Sequence, residues 1–224
     1  MNALFQQLAA TIPSGWRQTL KRFRYARLIA SGRFSADEPE FEKLNEWLKE
    51  GDWAVDVGAN VGSYTLRMSA LVGASGRVIA FEPVPATFEL LAVNVMRAPF
   101  ANVTLLNAAA SSSQNVVSME LPTYSGSKLE NPHQARLSIS GTLRVLCFSI
   151  DSLQLSKSIR LIKVDAEGHE LSVLQGLSVV LGRDHPTLIV EGFDSEVEEF
   201  LGAFGYRWHV MSGSPNRVYS VASA

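Results

Sequence analysis

The stretch Val55-Asp56-Val57-Gly58-Ala59-Asn60-Val61-Gly62-Ser63-Tyr64-Thr65 decides the fold. Its first residues suit a buried strand, its glycines make a turn, and the residues from Ser63 onward suit a helix. A strand that turns directly into a helix places a ligand at the helix amino terminus, outside the carboxyl end of the strand, where unpaired N–H groups face it. Gly58 is expected to let the backbone pass close to that ligand, and Gly62 to let the helix pack tightly on the strand. Asp56 could accept a hydrogen bond from an ammonium or from a turn amide. The dinucleotide fingerprint Gly-x-Gly-x-x-Gly has a glycine where Asn60 stands, and that middle glycine is what admits a pyrophosphate to the backbone. A ligand that joins an amino acid to a nucleoside, with no pyrophosphate, fits this turn better. A plain strand-to-helix connection would use the same residues, so the turn gains its meaning only from its partners later in the chain.

Downstream, short apolar runs alternate with helical patterns, the signature of a parallel sheet covered by helices in an α/β domain. Strands are predicted at 53–57, 77–81, 103–107, 160–165 and 187–191, and helices at 63–71, 85–96, 170–181 and 194–204. Two late segments, 206–211 and 217–221, flank Gly213, Ser214, Pro215 and Asn216 and read as an antiparallel hairpin at the sheet edge. Residues 111–142 break the rhythm with polar clusters, Pro122, Gly126 and Pro132, around predicted strands at 116–121 and 143–148. An insertion of that kind in an α/β domain is more often a substrate loop than a linker.

Glu82 ends the second strand, in Val78-Ile79-Ala80-Phe81-Glu82-Pro83. A carboxylate at that spacing from Gly62 can accept hydrogen bonds from both hydroxyls of a ribose. The third strand runs into Asn107-Ala108-Ala109, where small residues leave room for a flat base and Asn107 or nearby backbone could read its edge. The fourth ends in Lys163-Val164-Asp165-Ala166-Glu167-Gly168-His169-Glu170. Strand alternation puts Lys163 and Asp165 on one face, and a lysine in a buried strand needs a carboxylate partner. Asp165 and Glu167 fall where a reacting group would lie, and clustered acids and bases in a cleft are where a general base is sought. The structural alternatives are Asp165 as a turn former or cap and Glu170 as a counter-charge to the next helix. Asp165, Glu167 and Glu170 could also hold a divalent ion, but no paired histidine or second acid cluster commits to one, and no metal is expected. His133, His185 and His209 belong to no constellation.

The chain has 224 residues, is 46% hydrophobic and carries a net charge of −2, so a single core is expected and no global charge calls for nucleic acid. The cations are unevenly placed. Arg17, Lys21, Arg22, Arg24, Arg27 and Arg33 precede the first acid, Asp37, so residues 1–50 form a basic helical arm or cap. Trp16, Leu20 and Phe23 recur at helical spacing, which reads as an apolar stripe capping the domain or, through residues 16–28, touching anionic lipid or a lipid-linked acceptor. Cys147 lies in an apolar run and reads as an inert core thiol. The start lacks a basic leader region and no run approaches a membrane span, so a cytoplasmic protein is expected.

Taken together, these segments resemble the FkbM family of methyltransferases over about 51–191: the glycine turn from Val55 to Gly62, Gly76-Arg77-Val78-Ile79-Ala80-Phe81-Glu82-Pro83, Asn107-Ala108-Ala109, Ile150-Asp151-Ser152-Leu153, and Ile162 to Glu170. The resemblance implies a Rossmann-like class I sheet of seven strands, mostly parallel with an antiparallel last strand, over 51–224. It also implies S-adenosyl-L-methionine as methyl donor and O-methylation of a hydroxyl on a sugar or natural product. Carried onto this sequence, the donor-binding set is Asp56, Gly58, Ala59, Asn60, Gly62, Ser63, Glu82, Pro83, Asn107, Ala108, Ala109 and Asp165. Asp165, Glu167, Lys163 and His169 are the candidate catalytic residues, although Ala166 and His169 depart from the family pattern. A sulfonium methyl is already activated, so the work left is to orient the acceptor hydroxyl and take its proton. The competing readings are a binding or regulatory protein of this fold without turnover and a nicotinamide-dependent oxidoreductase. Asn60 speaks against the second.

Overall fold

In the computed structural model, residues 12–123, 131, 134–138 and 140–222 are described; His133 and much of the insertion tip lie outside them. The chain begins with helices α1 (Ser14–Ala30) and α2 (Pro39–Trp47), then β1 (Trp53–Val57), α3 (Ser63–Val72), β2 (Arg77–Phe81), α4 (Pro85–Val95) and β3 (Val103–Leu106). The insertion adds β4 (Ala109–Ala110), β5 (Asn115–Glu120), β6 (Arg136–Leu137) and β7 (Leu143–Phe148). There follow β8 (Ile159–Val164), α5 (Glu170–Gln175), α6 (Ser178–Asp184), β9 (Thr187–Glu191), α7 (Ser195–Gly202), β10 (Tyr206–His209) and β11 (Asn216–Val221).

The main sheet has seven strands in the order β3-β2-β1-β8-β9-β11-β10. β11 alone is reversed against its neighbours, pairing antiparallel with both β9 and β10, while the other pairings are parallel. The expected hairpin is therefore present, with its second strand turned inward and β10 at the edge. The central strands are buried on both faces, as a helix-covered parallel sheet requires. Strand alternation sorts their side chains: Val55, Val57, Ile162 and Val164 pack with Val173, Leu174 and Leu177, while Ala54, Val78, Leu161 and Ile189 pack with Phe41, Leu44, Tyr64 and Met68 on the opposite face. Each large apolar side chain so buried contributes roughly 2 kcal/mol.

Local chemistry corrects two expectations. Residues 170–181 do not form one helix. A Cβ on Gly176 would lie 1.9 Å from the Ser111 carbonyl oxygen, so only glycine fits there. The carbonyl of Gly176 accepts from the Asp151 amide at 3.0 Å, and the Asp151 carboxylate accepts from the amides of Val179 and Val180 at 2.9 and 3.2 Å. Donors and acceptor that a continuous helix would use are diverted to Asp151, and the chain restarts as α6.

The arm also differs from the capping role its stripe suggested. Trp16, Leu20 and Phe23 face outward, and α1 meets α4 through polar contacts: Gln18 donates to the Ala86 carbonyl at 2.9 Å, and Arg22 pairs with Glu89. The cap is α2, whose Phe41 and Leu44 enter the core. The insertion folds into a second sheet, β4-β7-β5-β6, with Cys147 buried inside it. Among the described residues, no helix is long and apolar enough to cross a membrane.

Because two amides of α6 depend on one carboxylate, Asp151→Ala should cost about 1 to 2 kcal/mol and lower the melting temperature by about 3 to 6 °C. A thermal melt unchanged from the parent would show that α6 does not need this cap.

Candidate active site

The carboxyl ends of β1, β2, β8 and β9 open into one cleft, lined by Val57, Gly58 and Asn60, by Phe81 to Val84, by Ala108 to Ala110, by Asp165 to Glu167 with His169, and by Glu191. The insertion supplies Met119, Ala135 and Leu137, so its described part does reach the cleft. Glu38, from the segment leading into α2, lines it as well.

The glycine turn is built differently from its sequence reading. Gly58 has a φ of 72°, and a Cβ there would lie 1.9 Å from the Asp165 carbonyl oxygen. Its freedom serves the approach of the β8 end, and its backbone also lines the cleft. A Cβ on Gly62 would lie 2.7 Å from the Leu91 methyl, so that glycine seats α3 against α4 rather than against the strand. Asn60 has a φ of 51°, a conformation asparagine tolerates better than most residues, which explains a non-glycine at this position. Ala59 is buried, and neither it, Gly62 nor Ser63 lines the cleft.

Asp56 is fully buried and does not line the cleft; one oxygen accepts from the Thr65 hydroxyl at 2.5 Å, tying β1 to α3. The Thr65 bond occupies one oxygen; the other, Oδ1, is buried with no hydrogen-bond partner among the described residues. Burial raises its pKa to about 6, against the opposing pull of Lys163.

Glu82 is 5% exposed and on the cleft wall. Its two oxygens accept from the Asn60 and Val84 amides, each at 2.9 Å, so it clasps the turn after β1 to the turn after β2. A carboxylate has about four acceptor positions, and two remain for hydroxyls of a ligand. Burial is the main cause that pushes its pKa up to about 7, with the two amide hydrogen bonds pulling the other way. The Asn107 amide donates to the Glu82 and Pro83 carbonyls at 2.8 and 3.2 Å, and Ala108 to Ala110 rather than Asn107 line the cleft as its small wall.

At the other end, Lys163 is 4% exposed and donates to Asp165 at 2.6 Å, with its ammonium 4.9 Å from the centre of the Tyr64 ring. Burial alone would lower its pKa, but Asp165 and Asp56 outweigh it and the ammonium is held charged. Carboxylate oxygens of Asp165, Glu167 and Glu191 lie within 4.8 Å of one another. That spacing could admit a hard cation, although Lys163 already answers Asp165. Glu191, which nothing in the sequence distinguishes from any other acid at a strand end, is pushed up to about 8 by burial and by its hydrogen bond with Asp165. Burial and the nearby Asp165 and Glu170 raise Glu167 too. Glu170 is structural, accepting from the Ala166 and Gly168 amides. His169 Nε2 meets the Ser111 hydroxyl at 2.9 Å, and burial lowers its pKa.

Residues 56–208 match the model of the methyltransferase FkbM domain. A hexuronic acid methyltransferase, AglP, of Haloferax volcanii is 32% identical over 141 residues, covering 62% of this chain and 55% of that protein. A methyltransferase FkbM of Methylobacillus flagellatus KT has a similar solved structure, with a TM-score of 0.54 at 19% identity over 77% of this chain and 44% of that one. The chain thus spans about half the length of these relatives. The likeness in structure accords with the strand order described above: a Rossmann-like class I sheet with one reversed strand.

The raised carboxyls make stability depend on pH. A group whose pKa is higher folded than unfolded stabilises the fold below its unfolded value, and that contribution is lost as pH rises through the folded value. The ligand-free protein should therefore melt at a lower temperature at about pH 8 than at about pH 5, with Glu82, near 7, among the causes. Glu82→Gln cannot ionise and should show a shallower fall. Equal slopes would show that Glu82 is not perturbed as its burial requires.

Proposed function

The chain belongs to the FkbM methyltransferase family, and from that premise we propose that it transfers a methyl group from S-adenosyl-L-methionine to a hydroxyl of a sugar. The observation that supports this best is the joining of two chemistries in one cleft: a buried carboxylate with acceptor positions to spare, Glu82, and a set of close carboxyls, Asp165, Glu167 and Glu191. Gly58 and Asn60, Glu82 with Pro83, and Ala108 with Ala109 would hold the donor, Glu82 at its ribose and the alanines beside its adenine. The sulfonium supplies an activated methyl when bound.

The protein's own task is then to orient one hydroxyl and accept its proton. Asp165, paired with the buried Lys163 ammonium, serves as the acceptor of a hydrogen bond from the substrate. Glu167, at the rim of the cleft, takes the proton or shares that duty. Glu191 holds a proton against Asp165 near neutral pH and limits the negative charge that Lys163 must balance. The relative named for hexuronic acid favours a sugar over other hydroxyl acceptors, and the insertion's Met119, Ala135 and Leu137 would flank it. A lone buried cysteine suits a reducing compartment, and we place the reaction in the cytoplasm. The carboxyl cluster argues against a protein of this fold without turnover, and the turn at Asn60 argues against a nicotinamide enzyme.

Calorimetric titration with S-adenosylhomocysteine should show saturable binding, weakened about 10- to 100-fold by Glu82→Ala, with no binding of NADH. Preference for NADH, or indifference to Glu82, would sink the reading. In a screen of sugars with labelled donor, Asp165→Asn should reduce turnover at least about 100-fold with S-adenosylhomocysteine affinity retained. Full turnover in that variant and in Glu167→Gln would remove both from the mechanism.

A further inference from the structure

We propose that α1 docks the protein on a membrane surface bearing anionic lipid. The stripe of Trp16, Leu20 and Phe23 is 70%, 55% and 74% exposed, an unusual placement for three large apolar side chains one turn apart on a helix. Cations surround it. Arg17, Lys21, Arg24 and Arg27 make no ion pair among the described residues, and the sequence up to Ala36 contains no acid to offer one. On the other flank, Phe23 borders a shallow groove shared with Arg22 and Arg97. The crowding has a measurable sign: partial burial first, and then the neighbouring Arg17 guanidinium, hold the Lys21 ammonium below its ordinary pKa.

An apolar centre ringed by cations fits the boundary between acyl chains and anionic headgroups, where tryptophan is favoured and each cation adds attraction. A nucleic acid would meet the cations but give the three apolar side chains nothing to bury against. The stripe also has a definite place relative to the cleft. Gln18 meets Ala86 in the first turn of α4, and Arg22 meets Glu89 about one turn further on, so α1 and α4 run in the same direction. α4 begins just after Glu82, Pro83 and Val84, which line the cleft. The Trp16 end of the stripe therefore lies toward the rim, and a surface held by the arm would be near the cleft mouth.

The test is vesicle flotation with the full chain, comparing phosphatidylcholine alone with phosphatidylcholine containing phosphatidylglycerol, at low and high salt. Binding is expected only to the anionic vesicles, falling as salt rises. The pair Trp16→Ser with Phe23→Ser, and separately the pair Lys21→Glu with Arg24→Glu, should each weaken it at least about tenfold. S-adenosylhomocysteine binding and the melting temperature report whether the variants fold, and they separate failure here from failure of the methyl-transfer reading. Equal binding to neutral vesicles, binding unaffected by either pair, or a dimer in sedimentation that the Trp16 and Phe23 changes dissolve would overturn the proposal. In the last case the stripe is the contact between two copies.

Discussion

The buried ammonium of Lys163 constrains everything around the cleft. A charge 4% exposed within a sheet is tolerated only with close carboxylates, and leaving it unanswered would cost several kcal/mol. Asp165, two residues on and on the same face, is one partner; Asp56, in register with Lys163 on β1, is the other. Meeting both conditions fixes the register of the two strands and brings the Asp165 carbonyl against Gly58, where any side chain would collide. The glycine turn and the acidic loop are far apart in sequence, yet they are two halves of one contact.

One lysine cannot balance all the acids that converge there. Glu38, Glu167 and Glu191 join Asp165 on the cleft wall, and the accommodation is to keep some of them protonated. Glu191 is pushed up to about 8 by burial and by its hydrogen bond with Asp165, so it holds its proton near neutral pH. Glu82, farther along, is raised by burial although two amides favour its anion. The cleft therefore contains several carboxyls whose pKa values are raised, Glu82, Glu167 and Glu191, each mainly by burial.

Much of this is legible in the sequence, and the limits have a common cause. The strands at 53–57, 77–81 and 187–191 match their predicted bounds because runs of Val, Ile and Ala buried on both faces have few other uses. The pairing of Lys163 with Asp165 is implied by alternation along one strand. Periodicity, however, reports burial along a single element and says nothing about which elements become neighbours. Glu191 looks like any acid at a strand end until β9 is placed beside β8. Asp151 looks like a loop residue until its carboxylate is seen to take two amides from α6. Glu38 comes from an arm that the charge distribution sets apart from the site. Asp56 and Asn107 each make a hydrogen bond inside the protein that the sequence does not announce, Asp56 to Thr65 and Asn107 to the carbonyls after β2.

The arm shows the same limit from the other side. Its spacing of Trp16, Leu20 and Phe23 tells that the helix has an apolar face, but not that this face points away from the domain. Gln18 and Arg22 turn inward because the start of α4 offers a carbonyl at Ala86 and a carboxylate at Glu89, and those two contacts leave the stripe outside. The arm is tied to the cleft at two points. Ala86 comes soon after the loop that carries Glu82, and Glu38, between the two arm helices, reaches the cleft wall while accepting from Tyr64 and Asn216. The arm thus reaches the cleft through Glu38 and lies beside the start of α4, so a basic segment and an acidic cleft are neighbours in the fold despite their opposite charge.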